Sequence, residues 1–394
     1  MPMLERPVSM AGWTRVAFGD VVRLSKARVA DPEAAGIERV VGLEHIDPGD
    51  LRIRRWGDFA DGTTFTTLFK PGQVLFGKRR AYQRKVAVAD FEGVCSGDIY
   101  VLEPANDRLM PELLPFLCQT DAFFDHAVGT SAGSLSPRTN WPSLASFEFL
   151  LPPIQEQARL VEAASACRTA LDALQDAYIA AVVAEAAYGK SVAHSLTETA
   201  PLVAIGNVAD VQYGLTVNQK RAESSHYKPY LRVANVQRGA FDLSEIKEIG
   251  VFDGDMVHEL RLGDVLVVEG HAVRSEIGRA AIWQGEVPGA LHQNHLIRIR
   301  ASGDMLPRYI CEMINSPHGQ KYFQTRAKSS SGLNTINSSV VREYRIPQPA
   351  VSEQEQVVSV FQSMSVQRGN LTRRLADARK LYADLLSAIS GQTA

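Results

Sequence analysis

Two stretches of the chain carry apolar residues at alternating steps of four and three. The first runs from about Gln155 to Tyr188, with apolar or small residues at Leu160, Ala164, Cys167, Leu171, Leu174, Tyr178, Ala181 and Tyr188. The second runs from about Glu353 to Ile389, with Val357, Phe361, Met364, Leu371, Leu375, Ala378, Tyr382, Leu385 and Ile389. Each misses one place, at Glu185 and at Arg368. Alternating four and three is the seam of a coiled coil, narrower than the stripe of a helix lying on a sheet. Each stretch predicts a helix of about 35 residues, roughly 50 Å long. Between and before them the pattern changes to short β-branched runs bounded by Gly, Pro and Asp, which predict strands. These are Arg39 to Leu43, Gln73 to Gly77, Val86 to Ala89 and Ile99 to Leu102, then Tyr230 to Val236, Asp264 to Val268, Ala280 to Trp283 and Leu296 to Ile299. Short helices are expected near Glu112 to Cys118 and near Arg308 to Ile314.

The order of these parts repeats. Val16-Ala17-Phe18-Gly19-Asp20-Val21 answers to Val203-Ala204-Ile205-Gly206-Asn207-Val208. Lys70-Pro71-Gly72-Gln73-Val74-Leu75 answers to Arg261-Leu262-Gly263-Asp264-Val265-Leu266, and Leu109-Met110-Pro111 to Met305-Leu306-Pro307. The loop Thr130-Ser131-Ala132-Gly133-Ser134-Leu135 answers to Ser329-Ser330-Ser331-Gly332-Leu333. A proline brake and a Gln/Glu cluster then precede each seam helix: Leu151-Pro152-Pro153-Ile154-Gln155-Glu156-Gln157, and Ile346-Pro347-Gln348-Pro349 with Glu353-Gln354-Glu355-Gln356. Five landmarks in one order indicate an internal duplication. The expected architecture is α+β: two tandem globular domains separated by two long helices that pair as an antiparallel coiled coil, a pseudo-two-fold repeat. The boundaries are 1–151 and 191–346 for the globules, and 152–190 and 347–394 for the helices. Gly189 to Pro201, polar with a Gly and a Pro, reads as a turn-back linker.

Composition narrows the function. The 394 residues are 45% hydrophobic and 22% charged, ordinary for a soluble globular protein. The formal net charge of −2 means that a nucleic-acid binder of this kind must concentrate its cations locally. Four scattered cysteines form no Cys-x-x-Cys pair, which argues against a zinc ribbon or disulfide framework and fits a reducing cytoplasm. No long apolar run or leader is present, so neither membrane span nor signal peptide is expected.

Catalytic signatures are lacking: no phosphate loop, no dinucleotide fingerprint, no nucleophile elbow, no constellation of acid, base and nucleophile. His292 and His295 lie three apart; on a strand they would face opposite ways and could not share a metal. Cys95 and Cys311 read as small core residues. The basic segment Gly77-Lys78-Arg79-Arg80-Ala81-Tyr82-Gln83-Arg84-Lys85 packs five cations and an aromatic into nine residues. It is either a solvated hairpin or a DNA-contacting loop, in which Lys78, Arg79, Arg80, Arg84 and Lys85 neutralise phosphates, Tyr82 lies alongside, and one arginine bonds guanine bidentately. Arg52, Arg54 and Arg55 add charge to this half, while His271, Arg274 and Arg279 occupy the equivalent place in the second. The Ser/Gly loops offer Ser131, Ser134, Arg138 and Asn140 in one half, and Lys328, Ser330, Asn334 and Asn337 in the other. Their hydroxyls, amides and open backbone suit phosphates and base edges, or serve simply as loop chemistry.

Taken together, the duplication, the Leu-Pro-Pro-Ile-Gln-Glu-Gln lead-in and its divergent copy, and the segment from Val74 to Ala87 with its counterpart from Gly263 to Ala280 resemble the specificity subunits of type I restriction–modification systems. The resemblance covers nearly the whole chain; the extra Gln348 between the second pair of prolines is a departure. It implies that each globule is a target-recognition domain reading one half of a split site on double-stranded DNA, with the coiled coil as a ruler. A helix of roughly 50 Å can hold two readers a duplex turn, roughly 34 Å, or more apart. It further implies two modification subunits that supply S-adenosylmethionine chemistry, restriction subunits that join them, and no cofactor, metal or catalysis on this chain. The alternatives are a specificity subunit of another restriction or phage-defence system, or a coiled-coil protein-interaction scaffold.

Overall fold

Each globule is closed by strands from its own two ends. Thr14–Ala17 pairs antiparallel with Glu148–Leu151, and Leu202–Ala204 pairs antiparallel with Arg345–Pro347. The second strand of each pair feeds directly into a long helix, so the sequence repeat is also a repeat of topology. The computed structural model describes residues 10–330 and 332–391. Within it the chain forms two units: one holds the chain up to Gln175 and takes it back from Arg373, the other spans Asp176–Thr372.

In the first unit Val22–Leu24, Ile99–Pro104, Val74–Gly77 and Val86–Val88 lie side by side in that order, all antiparallel. In the second unit Ala209–Tyr213, Leu296–Ala301, Val265–Val268 and Ala280–Ile282 repeat the order and the sense. The runs Val74–Gly77 and Val265–Val268 are buried throughout because both faces are covered. Val265 and Val267 join Ile297, Ile299 and Tyr309 in one core, while Leu266 and Val268 join Leu231, Trp283 and Leu296 in another, as side chains alternating along a strand must. A mixed sheet accompanies each: Arg39–Val41 runs parallel to Gly93–Cys95, and Tyr227–Leu231 parallel to Leu291–His292. Gly19 and Gly206 hold equivalent places in short helices, where a Cβ would lie 2.9 Å from Ala145 Cβ and 3.0 Å from Arg342 Cβ. That close approach explains why both copies have glycine there.

The strand expectations hold in place with shifted ends: Ile99–Pro104 and Leu296–Ala301 run longer than expected, and Tyr227–Leu231 starts earlier and stops sooner. Leu43–His45 and Val233–Asn235 leave their strands as 3-10 turns at matching positions. The short helices are Leu114–Leu117 and Pro307–Asn315, and each is followed by a second helix that the sequence reading omitted, Asp121–Gly129 and Pro317–Arg326. Thr120 and Ser316 cap these, accepting from Phe123 N and Gly319 N, which is the usual start signal.

The long helices are Ile154–Thr199 and Val351–Ile389. Every predicted seam position is buried or half-buried, whereas the charged positions between them are mostly exposed. In the second unit the seam runs antiparallel: Tyr188 packs on Phe361, ring centroids 5.1 Å apart, and Glu185 meets Arg368 at 3.0 Å. The two places where the apolar pattern lapses are thus partners of one another. In the first unit Cys167, Leu171, Leu375 and Tyr382 are buried along the same seam. The expected linker from Gly189 to Pro201 is a correction: the helix continues to Thr199. Val192 and Leu196 follow Tyr188 at steps of four and pack against the second unit's core, so burial of this stripe outweighs the polar residues between. All four cysteines are buried in the cores, and burial pushes the Cys95 thiol up to about 12. No helix among the described residues is long and apolar enough to cross a membrane.

Candidate nucleic-acid interface

The basic segment and the Ser/Gly loop of the first unit, far apart in sequence, form one surface. Val74–Gly77 ends at Lys78, whose carbonyl accepts from Thr139 N at 3.0 Å; Arg80 N donates to Pro137 O at 2.7 Å. Arg138 and Ala132 exchange two backbone bonds of 3.0 Å, closing the Ser/Gly loop on itself. The turn Ala81–Gln83 is flanked by Arg80 at φ 54° and Arg84 at φ 55°, the only non-glycine residues with positive φ among those described. Such backbone costs about 1–3 kcal/mol per residue and persists only where its surroundings enforce it. Arg80 is held by its pairing with Pro137 of the Ser/Gly loop, and Arg84 by its side-chain contacts with Gln119, Asp121 and Phe124.

Side chains complete the joint. Asp98 accepts from Arg79 Nη1 at 3.1 Å and from Arg138 Nε at 2.9 Å. Ser136 Oγ accepts from Arg79 Nε at 3.0 Å and Arg80 Nε at 3.1 Å. Burial works to raise the Asp98 pKa, but the bonds from Arg138 and Arg79 outweigh it and hold the carboxyl below its usual range. Lys78 Nζ sits 4.5 Å from the Tyr100 ring centroid, and burial lowers its pKa. Arg84 turns inward to Asp121, the Gln119 carbonyl and the Phe124 ring, and Lys85 donates to Leu43 O at 2.6 Å. Among the described residues, Lys78, Arg80 and Lys85 form no salt bridge, although the Asp98 charge acts on Lys78; Tyr82 stands 56% exposed. Ser134 is exposed beside Leu135, an apolar tip that the sequence reading passed over and that is 91% exposed.

The second unit joins the equivalent segments. Gly270–His271 pairs with Leu333–Thr335, which pairs with Lys328–Ser330, so the expected loop from Lys328 to Asn337 is largely a hairpin. Asn334, 8% exposed, donates to His271 O at 3.3 Å and Ala272 O at 2.9 Å and accepts from Ser329 Oγ at 2.6 Å. His271 Nδ1 accepts from Val273 N at 3.0 Å. Arg274 is exposed yet bonded to two carbonyls, Gln324 O at 2.9 Å and Ala327 O at 3.2 Å. Lys328 is exposed with no ion pair among the described residues. Ser330 has its backbone in the hairpin; its side chain, and Ser331, lie outside the described residues.

Several candidates carry fold roles. Asn140 and Asn337 cap the helices Trp141–Ala145 and Ser338–Glu343, accepting from Ser143 N at 2.9 Å and Val340 N at 3.0 Å. Ser131 Oγ donates to Ala127 O at 2.7 Å. Arg279 is buried against Glu276 at 2.8 Å. Arg52, Arg54 and Arg55 are paired with Asp172, Asp50 and Asp47, so that stretch presents little free charge. His292 is buried, with a pKa pushed by burial down to about 3, while His295 bonds Glu269 at 2.8 Å.

No family model matches the chain. Over 93 residues, 24% of this chain and 20% of the relative, it is 32% identical to the type I restriction enzyme EcoDI specificity subunit of Escherichia coli. Over 175 residues, 44% and 38% respectively, it is 23% identical to the EcoKI specificity subunit of Escherichia coli strain K12. The matched stretches thus span between a fifth and two fifths of these curated relatives. Over 99% of both chains it superposes on the S subunit of a type I restriction–modification system from M. genitalium with a TM-score of 0.62 and 12% identity. The chain therefore has the fold of that S subunit and shares local sequence with type I specificity subunits.

Proposed function

We propose that the chain is the DNA sequence-specificity subunit of a type I restriction–modification complex, in which each globular unit reads one half of a bipartite duplex site and the long helices space the readers. The observation that carries this reading is the repeated loop joint: in both units the segment after the central strand meets the segment after the second short helix. Two copies of one scaffold with different loop chemistry suit an asymmetric, split target. The proposed contacts are Lys78, Arg79, Arg80, Tyr82, Ser134 and Arg138 in one unit, and His271, Arg274 and Lys328 in the other. Cations on such loops position the duplex through phosphates, and their forks or neighbouring polar groups read base edges in the groove. Arg79 and Arg138 reach the DNA already oriented by Asp98, which limits the entropy lost on binding.

The chain itself carries out no catalysis in this proposal. Two modification subunits supply methyl transfer, and restriction subunits join the assembly in the cytoplasm. The test is a methylome of the source cell with and without an in-frame deletion of the gene. Loss of methylation at one split motif with a fixed gap is expected. An unchanged methylome, in cells where the co-purifying methyltransferase is active, contradicts the proposal.

A further inference from the structure

Each long helix begins with a glutamine that sees no solvent. Gln157 and Gln354 are fully buried, and each is the fourth residue of its helix. Gln157 Nε2 donates to Arg108 O at 2.7 Å and to Pro152 O at 2.8 Å, while its Oε1 accepts from Met110 N at 2.8 Å. Gln354 Nε2 donates to Asp304 O at 3.1 Å and to Pro349 O at 3.0 Å, while its Oε1 accepts from Leu306 N at 2.9 Å. Both amide donors and the acceptor are used, in the same way, in both copies. The match survives the additional Gln348 upstream of Pro349. A carboxylate could not replace the amide, because it has no proton to give two carbonyls.

The partners matter for what they lead to. Met110 opens onto Leu114–Leu117 and Asp121–Gly129, and the latter runs into the Ser/Gly loop that joins the basic segment. Leu306 opens onto Pro307–Asn315 and Pro317–Arg326, which end at the Lys328–Ser330 strand of the second joint. Each glutamine thus ties the first turn of a long helix to the root of the elements that present its unit's loop joint. An apolar side chain would fill the same space without direction, whereas three convergent hydrogen bonds in a dry site admit one arrangement.

We propose that Gln157 and Gln354 are positioning residues that fix the angle between each reader and its helix, and so restrict the gap between the two half-sites to one length. This rests on the specificity-subunit reading above. The test complements deletion cells with the full chain or with Gln157→Met, which keeps the length of the side chain and removes the amide. The wild-type chain is expected to direct methylation to a split motif of one gap. Q157M is expected to keep both half-site sequences while spreading to gaps one base pair shorter and longer. The preference for the native gap should fall by about tenfold, the scale of one net hydrogen bond. Gln354→Met should do the same independently. An unchanged gap in a variant that still methylates overturns the proposal and leaves the reading intact. A folded variant that methylates at no gap also overturns it, since a loosened reader must still reach the native spacing part of the time. Wild-type chain that restores no split-motif methylation overturns the underlying reading instead. If the methionine variants do not accumulate as folded protein, Gln157→Asn carries the comparison: it keeps the amide but is one methylene short, and a single retained gap overturns the proposal.

Discussion

The loop joint of the first unit and that of the second are built on the same strands and differ in what holds them. In the first, a carboxylate orients two guanidiniums: Asp98 binds Arg79 and Arg138, and Ser136 binds Arg79 and Arg80. In the second, a buried neutral amide, Asn334, binds two carbonyls and a hydroxyl. One joint gathers positive charge and includes a left-handed arginine, Arg80, paired to the Ser/Gly loop; the other is a short hairpin with dispersed cations. The lesson is that a duplicated scaffold keeps its sheet order and lets the contact chemistry diverge, which suits the proposed reading of two unlike half-sites.

Removing the buried amide that holds the second joint, set beside removing a plain helix cap in the first unit, should break the comparison most strongly. Asn334→Ala leaves two carbonyls and a hydroxyl without their partner, so the second unit should lose about 2–3 kcal/mol, measured by denaturant unfolding. Asn140→Ala, which removes only a helix cap, should cost about 1 kcal/mol.

A smaller, pH-dependent difference sharpens it. The Asp98 carboxyl is held below its usual range by Arg138 and Arg79 against the upward push of burial. A carboxyl depressed in the fold contributes stability above its unfolded pKa, about 4, and loses it as pH falls through the folded value. Amide protection at Arg80 and Thr139 should therefore hold from neutral pH to about pH 4 and drop below it, and Asp98→Asn should lower it throughout. The Asn334 side-chain bonds contain no titrating group, so protection of the Ser329–Asn334 pairing should show no matching drop below about pH 4. Equal acid sensitivity at both joints would remove the distinction.

The smallest effect belongs to the seam. Glu185 and Arg368 meet at 3.0 Å but remain 27% and 36% exposed. A double-mutant cycle should give about 0.5 kcal/mol; a much larger coupling would assign the pair a greater part in fixing the helix register than its exposure suggests.

The seam was legible because its signal is local. Steps of four and three survive in any window, and even the lapses at Glu185 and Arg368 were visible, though not that they answer one another across two helices. The false linker shows the limit: Tyr188, Val192 and Leu196 keep an apolar step of four, but Gly189 and the polar residues between them masked it. Asn140 before Trp141-Pro142 and Asn337 before Ser338 were readable as helix caps and were taken for ligands, since the same amide chemistry serves both. The cations of the basic segment were legible as charge. Their partners Asp98, Ser136 and Tyr100 were not, because strand pairing brings them together and no local pattern encodes it.

The most direct test of the central claim, that each unit reads its own half-site, is the methylated motif directed by the full chain carrying Lys78→Ser and Arg80→Ser together. Both residues lie on the first joint and form no salt bridge among the described residues. The account predicts that one half of the split motif is relaxed or lost while the other half keeps its sequence. A folded variant in which both halves change alike, or neither changes, would contradict it.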